Sequence, residues 1–222
     1  MLSTQMLLIV AGAVAVGLVG LLIFSAGRTR RAQLKKLSGM LGLKLQPDDA
    51  ELRASGLVEV MPFQGAQTRC RNILRGEVRG AQAFVFDYAV NDGRHWRLSD
   101  PVVFFQPRKR LPRFELRPRT SSKDPRGFPF DDSPKFNEIY ALTGSDEVLL
   151  RGLFQSDVLE FFERSENQSW AVVSMGEWLA TAFWPLGERS RLLAPKEVLG
   201  FFEDAKEVLF LLTSTAAGRA SS

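Results

Sequence analysis

Two carboxylate pairs, Asp48 with Asp49 and Asp131 with Asp132, are of the type that shares general acid and base work. Adjacent residues on one chain rarely converge on a substrate atom, and acids ahead of a helix or in a turn cap and bend the backbone, so both pairs read as structural. His95 stands near Ser99, Asp100 and Asp87, and a nucleophile, base and orienting acid can be written down from them. A triad is defined by geometry, however, and no G-x-S-x-G elbow accompanies these residues. Cys70 lies between Arg69 and Arg71, a setting that favours the thiolate where the side chain is exposed, although an alternating strand buries such a residue as readily. With one Cys and one His in the chain, the common zinc sites and an intramolecular disulfide are excluded. Neither G-x-x-x-x-G-K-[ST] nor G-x-G-x-x-G occurs, which removes the usual phosphate loops. The residues therefore assign no catalytic, cofactor or metal site.

One cluster remains. Arg108, Lys109, Arg110, Arg113, Arg117 and Arg119 fall within twelve positions and meet only Glu115. Of these, Arg108, Lys109, Arg110 and Arg113 form a candidate surface for an anionic partner: lipid headgroups, an acidic protein or RNA. The overall balance does not favour nucleic acid. Six of the 29 basic residues and none of the 25 acids lie in residues 1–44, so the net charge of +4 belongs to that segment and the remainder is slightly acidic.

The elements that position these residues begin with residues 1–27, which carry no charged side chain. Met6 to Phe24 is almost purely aliphatic, and as a helix it reaches roughly 28 Å, the thickness of a bilayer's hydrocarbon. A secretory signal would need a charged start and a shorter core before its cleavage site, whereas here no Lys or Arg precedes the run, the run is too long and five basic residues within ten positions follow it. Arg28, Arg30, Arg31, Lys35 and Lys36 follow the run, and cations beside a span stay on the cytoplasmic side. The expectation is a single-pass inner-membrane protein with its N-terminus outside and its domain in the cytoplasm. The same five residues are candidates for contact with anionic headgroups. Ala13, Gly17 and Gly20 form a smooth stripe on which a second copy could pack as a weak homodimer.

Beyond the anchor (1–27), a basic juxtamembrane helix and linker (28–47) precedes an α+β domain (48–212) and a polar tail (213–222). Leu34, Leu37 and Leu41 give a helix one apolar face, with Gly42 as its stop. Asp48 or Asp49 caps a short helix ended by Gly56. RCRNILRGEV and AQAFVFDYAV read as strands around an Arg79, Gly80 turn, with Phe84, Phe86 and Tyr88 expected to face the core. Asn91 to Gly93 closes a hairpin into HWRLSDPVVFFQ, where Pro101 marks a bulge or an edge. RFELRP is a further strand, 119–135 an exposed loop, and Phe136 to Leu142 a strand. Helices open near Ser145 and at Ser156, WAVVSM and WLATAFW form a hairpin, and Pro195 starts a last helix too charged to be a second span. Strands in a block followed by helices predict one antiparallel sheet packed by C-terminal helices.

The stretches RNILRGEVRGAQAFVFDYAV, LPRFELRP and FDDSPKFNEIYALTGSDEVLLRGLF resemble a family of uncharacterised bacterial proteins in which an N-terminal membrane helix carries a cytoplasmic domain. Phe130, Asp131, Pro134, Phe136, Tyr140, Leu142, Gly144, Asp146, Glu147 and Phe154 are the most specific part of the likeness. It covers most of residues 30 to 210 and departs in the third strand, where HWRLSDPVVFF carries a proline. The resemblance implies placement and fold, and no activity or site. The sequence thus points to a membrane-tethered interaction or scaffold domain with lipid and protein partners; the alternative is a membrane-associated hydrolase.

Overall fold

Twelve residues, Gln67–Val78 (β2), pair antiparallel with Ala81–Asn91 (β3) through a two-residue loop. Arg79 and Gly80 in that loop both have positive φ, 50° and 79°, the geometry of the turn whose twist matches the flanking strands. The computed structural model describes residues 30–46, Ala50, 67–91, 96–120, 127–164, 170–183 and 193–218. The expected span, its small-residue stripe, Arg28, the helix near Asp48 and His95 lie outside these residues. Among the described residues no helix is long and apolar enough to cross a membrane.

The described residues form an α+β domain built on one antiparallel sheet of eight strands. A helix over residues 30–41 (α1) is closed by Gly42, at φ +68°, and by Leu43 N donating to Ser38 O at 3.0 Å. It leads into the short edge strand Lys44–Leu45 (β1). After β2 and β3 come Trp96–Gln106 (β4) and Phe114–Pro118 (β5). Pro134–Ile139 (α2), Tyr140–Gly144 (β6), Glu147–Leu153 (α3) and Ser156–Arg164 (α4) follow. The hairpin Trp170–Ser174 (β7) and Leu179–Phe183 (β8) and the long helix Pro195–Gly218 (α5) complete the fold. In space the strands run β1-β2-β3-β4-β8-β7-β5-β6.

Pro101 sits where the β3–β4 register shifts, between the Asp87–Pro101 and Ala89–Leu98 pairs, and β8 reaches only as far as Val102. The missing N–H of the proline therefore breaks no ladder bond toward β8. β2 has its own bulge between Arg71 and Leu74, at Asn72 with φ 56°.

Both faces of the sheet are buried, which changes the expected orientation of β3. Its aromatic side, Phe84, Phe86 and Tyr88, packs in a smaller cluster with Val102, Phe104, Ala180 and Ala182. The smaller side, Ala83 and Val85, faces the main core beneath the helices, where bulk comes from Phe105, Phe202 and the leucines of α1. Small residues on the strand leave room for large ones on the helices.

Two further expectations are corrected. Phe136 belongs to α2 rather than to a strand: Pro134 is preset for a helix's first turn, and Phe136 is buried against Tyr140, Phe154 and Phe162. A six-residue amphipathic helix and a strand look alike in so short a run. Nor are the described residues 127–135 simply a loop in solvent. Phe128 N donates to Leu142 O, Phe130 is buried, and the Asn137 side chain both accepts from Phe130 N and donates to Phe130 O.

The expected domain boundary at 48 also moves. Leu34, Leu37 and Leu43 are at most 3% exposed and belong to the main core, so α1 is part of the folded domain.

Candidate functional site

α1 is amphipathic, and the side chain that begins its described part is turned inward. Arg30, 8% exposed, donates from Nη2 to Asp87 Oδ1 at 2.8 Å and from Nε to Asp87 Oδ2 at 3.2 Å, while its Nη1 donates to Leu193 O at 2.6 Å. Asn72 Nδ2 adds a bond to Asp87 Oδ2 at 2.8 Å, which the left-handed backbone at the β2 bulge makes reachable. A carboxylate at 2% exposure is tolerable only when paired and hydrogen-bonded, and Asp87 is both. The expected headgroup role of Arg30 is thereby corrected, and Asp87 is committed to this pair rather than to orienting a histidine.

The cations that α1 does expose are Arg31, Lys35 and Lys36. Arg31 and Lys35 line an open concavity of about 950 Å³ together with Lys44, and its described lining holds no acid. The floor, with Ala32, Gly39 and Gly42, is small enough for a bulky anion to approach the backbone. Lys44 was not singled out by its sequence position; the turn at Gly42 folds it back beside the helix.

The strip at 108–119 is split by the fold. Arg117 pairs with Glu115, and Arg119 donates to Asn137 O at 3.0 Å. Partial burial lowers the Arg117 pKa from its ordinary value. Arg110 pairs with Glu177 in the turn of the β7–β8 hairpin, and Arg113 is exposed next to the start of β5. Arg108 and Lys109 line a groove, and there they meet Arg79, which sequence spacing did not connect to them. The groove encloses about 320 Å³ over Ala81, Pro107, Leu209 and Phe210.

The turn geometry fixes its rim. Arg108 Nε donates to Gly80 O at 3.0 Å, and the φ of +79° at Gly80 favours glycine there. The Arg79 guanidinium lies 4.8 Å from the centroid of the Phe210 ring, a cation–π distance. Phe210 is 49% exposed on α5. Lys109 makes no hydrogen bond or ion pair among the described residues.

This groove and Arg30 lie at opposite ends of the domain. From Asp87 to Ala81, β3 runs six residues, about 20 Å. α5 starts at Pro195, two residues after the Leu193 that Arg30 bonds, and reaches Phe210 in the groove after about 22 Å of helix. Asp131 and Asp132 are exposed in the turn before α2, on neither surface. Among the described residues no group of His, Cys, Asp and Glu could hold a metal ion, and Cys70 is buried.

No protein-family model matches the chain, and no curated protein matches it. Among solved structures, its fold is similar to that of the mycobacterial trehalose monomycolate transport factor A, TtfA, with a TM-score of 0.54 and 13% sequence identity over 83% of this chain and 93% of that one. At that identity the likeness establishes a shared α+β fold across nearly the whole of the TtfA chain.

Proposed function

We propose that this protein is a membrane-tethered, non-catalytic interaction domain that serves a lipid-handling assembly at the cytoplasmic face of the inner membrane. The observation that carries the reading is the position of Arg30. It follows the aliphatic run that ends at Phe24 by six residues, which span at most about 20 Å of chain, and it is locked into the domain by Asp87 and Leu193. A domain so joined to an apolar anchor works at a bilayer surface. The concavity of Arg31, Lys35 and Lys44 belongs to the same helix and suits anionic headgroups, each cation adding about 1 kcal/mol near such a surface. The fold shared with TtfA, a transport factor by its description, supports service to lipid transport rather than chemistry on lipid.

The experiment has two arms. Full-length chain is expected in the membrane fraction after detergent-free lysis, with the domain protected from protease added outside intact cells. In detergent-exchanged proteoliposomes, the triple reversal Arg31→Glu, Lys35→Glu, Lys44→Glu is expected to lower the recruitment of phosphatidylglycerol around the protein while leaving insertion intact. A supernatant location for the full chain, or digestion from outside, overturns the reading.

A further inference from the structure

The pole of the domain opposite Arg30 carries the groove under the β2–β3 turn, and nothing in the tether explains it. Its floor is apolar and its rim carries Arg79, Arg108 and Lys109. Glu77 stands outside that lining, 3.8 Å from Arg108 with both side chains mostly exposed, a pair of little strength in water. We propose that this groove docks an acidic amphipathic segment of a protein partner, an apolar side chain seated against Leu209 and Phe210 and its flanking carboxylates on Arg79, Arg108 and Lys109. This deepens the interaction-domain reading by naming the partner's chemistry, and it rests on that reading.

Three observations select the occupant. The groove's described lining carries three cations and no acid, so a carboxylate-bearing ligand is complementary to it and a basic one is repelled. The volume of about 320 Å³ is at the low end for small-molecule pockets, about 300–1,000 Å³, and suits an anchoring side chain better than an extended acyl tail. The groove is separated from the Asp87 that holds Arg30 by six residues of β3, about 20 Å, so it is a surface distinct from the concavity on α1.

A fourth observation gives direction. Beyond Phe210 a second concavity of about 490 Å³ shares Arg79 and Phe210 with the first, but its outer wall is Glu203, Asp204 and Glu207 with Lys206 held to Glu203. Charge thus changes sign across the Phe210 ring. A segment with acid on one side of its anchor residue and base on the other fits in one orientation, and the reverse orientation sets like charges together.

Arg79 itself is held at a cost. A non-glycine residue at φ 50° in a tight turn is strained by about 1–2 kcal/mol, where Asn or Gly would be relaxed. Local strain of this kind gathers at functional positions. Here it keeps a guanidinium over an exposed aromatic ring.

The test uses full-length chain in living cells, with a photo-crosslinking phenylalanine analogue at Thr213 on the groove wall. The crosslinked segment is mapped, synthesised as a peptide, and titrated against full-length chain in nanodiscs of neutral lipid. The expected segment carries at least two acids beside an apolar residue. Arg79→Glu with Arg108→Glu is expected to weaken it about tenfold or more, and Asp/Glu→Lys changes in the peptide to recover binding to that variant. Crosslinks to lipid, to a second copy of this chain or to a segment without acids, binding indifferent to the reversal, or the absence of any crosslink, each overturn the proposal. Membrane fractionation of the reversal variant keeps the two readings apart, because an unchanged membrane fraction with lost crosslinking indicts the groove alone.

Discussion

Arg30 and Asp87, 57 residues apart in the chain, meet in the interior as a two-pronged guanidinium–carboxylate pair, and the remaining prong of the guanidinium reaches the backbone at Leu193. One side chain therefore joins the helix that follows the apolar run, a central strand and the approach to α5.

Removing one member of this pair leaves a buried charge without its counterpart. Arg30→Met or Asp87→Leu alone is expected to cost about 3–5 kcal/mol, whereas the double variant, with no charge left to compensate, costs less than either single change. Denaturant titration of the three variants checks the order. A double variant less stable than both singles refutes it.

The β2–β3 turn offers a separate cycle. Arg79→Asn relieves the strained backbone but gives up the contact with Phe210. In a Phe210→Ala background the substitution is expected to stabilise the fold by about 0.5–1 kcal/mol, and in the native background by less. The difference, about 0.5–1 kcal/mol, measures the stacking directly, and equal effects in the two backgrounds mean that no such coupling exists.

Thr181 on β8 is fully buried, and its Oγ1 finds no hydrogen-bond partner among the described residues. Val has nearly the same shape without the hydroxyl. Thr181→Val should therefore raise stability by about 1 kcal/mol, read as a higher thermal midpoint. A lower midpoint would reveal a partner for the hydroxyl.

Tyr140 supplies a pH dependence. Burial beside Phe136 and Phe162 raises its phenol pKa above the ordinary value of 10.0. The folded state then keeps a proton that the unfolded chain has lost, so this group's contribution is whole below pH 10 and declines as pH rises beyond it. The thermal midpoint is expected to fall above that pH, and Tyr140→Phe to flatten the fall. Identical slopes for the two proteins would remove Tyr140 as the cause.

Much of the fold was legible where local chemistry is decisive. The Arg79, Gly80 turn, the Pro101 bulge, the Gly42 stop and the Pro195 start were each read from residues whose backbone preferences act within a turn of chain. Asp146 likewise caps α3, accepting from Leu149 N at 3.0 Å. The run at Phe136 was misread because so few residues carry no period. Arg30 was misread for another reason: a cation after an apolar stretch has an immediate electrostatic meaning, and only the three-dimensional fold brings Asp87 to it.

The candidate groove was half legible. Arg108 and Lys109 stand out by charge, but Arg79 is an isolated arginine in a turn, and the fold alone unites the three. Phe210 did leave a signal. Val208, Leu209, Phe210, Leu211 and Leu212 are five consecutive apolar residues on α5, and a helix cannot bury all of them on one side. The surplus one is Phe210, exposed beside the basic rim.

The closure of α1 onto β3 and α5 also has a mechanical meaning. A residue at the start of the described part of α1 is bonded both to a strand of the sheet and to the backbone just ahead of α5. A push, tilt or rotation of α1 is therefore delivered to Asp87 and Leu193, and α5 runs on from Pro195 to Phe210, like a lever whose far end holds the groove.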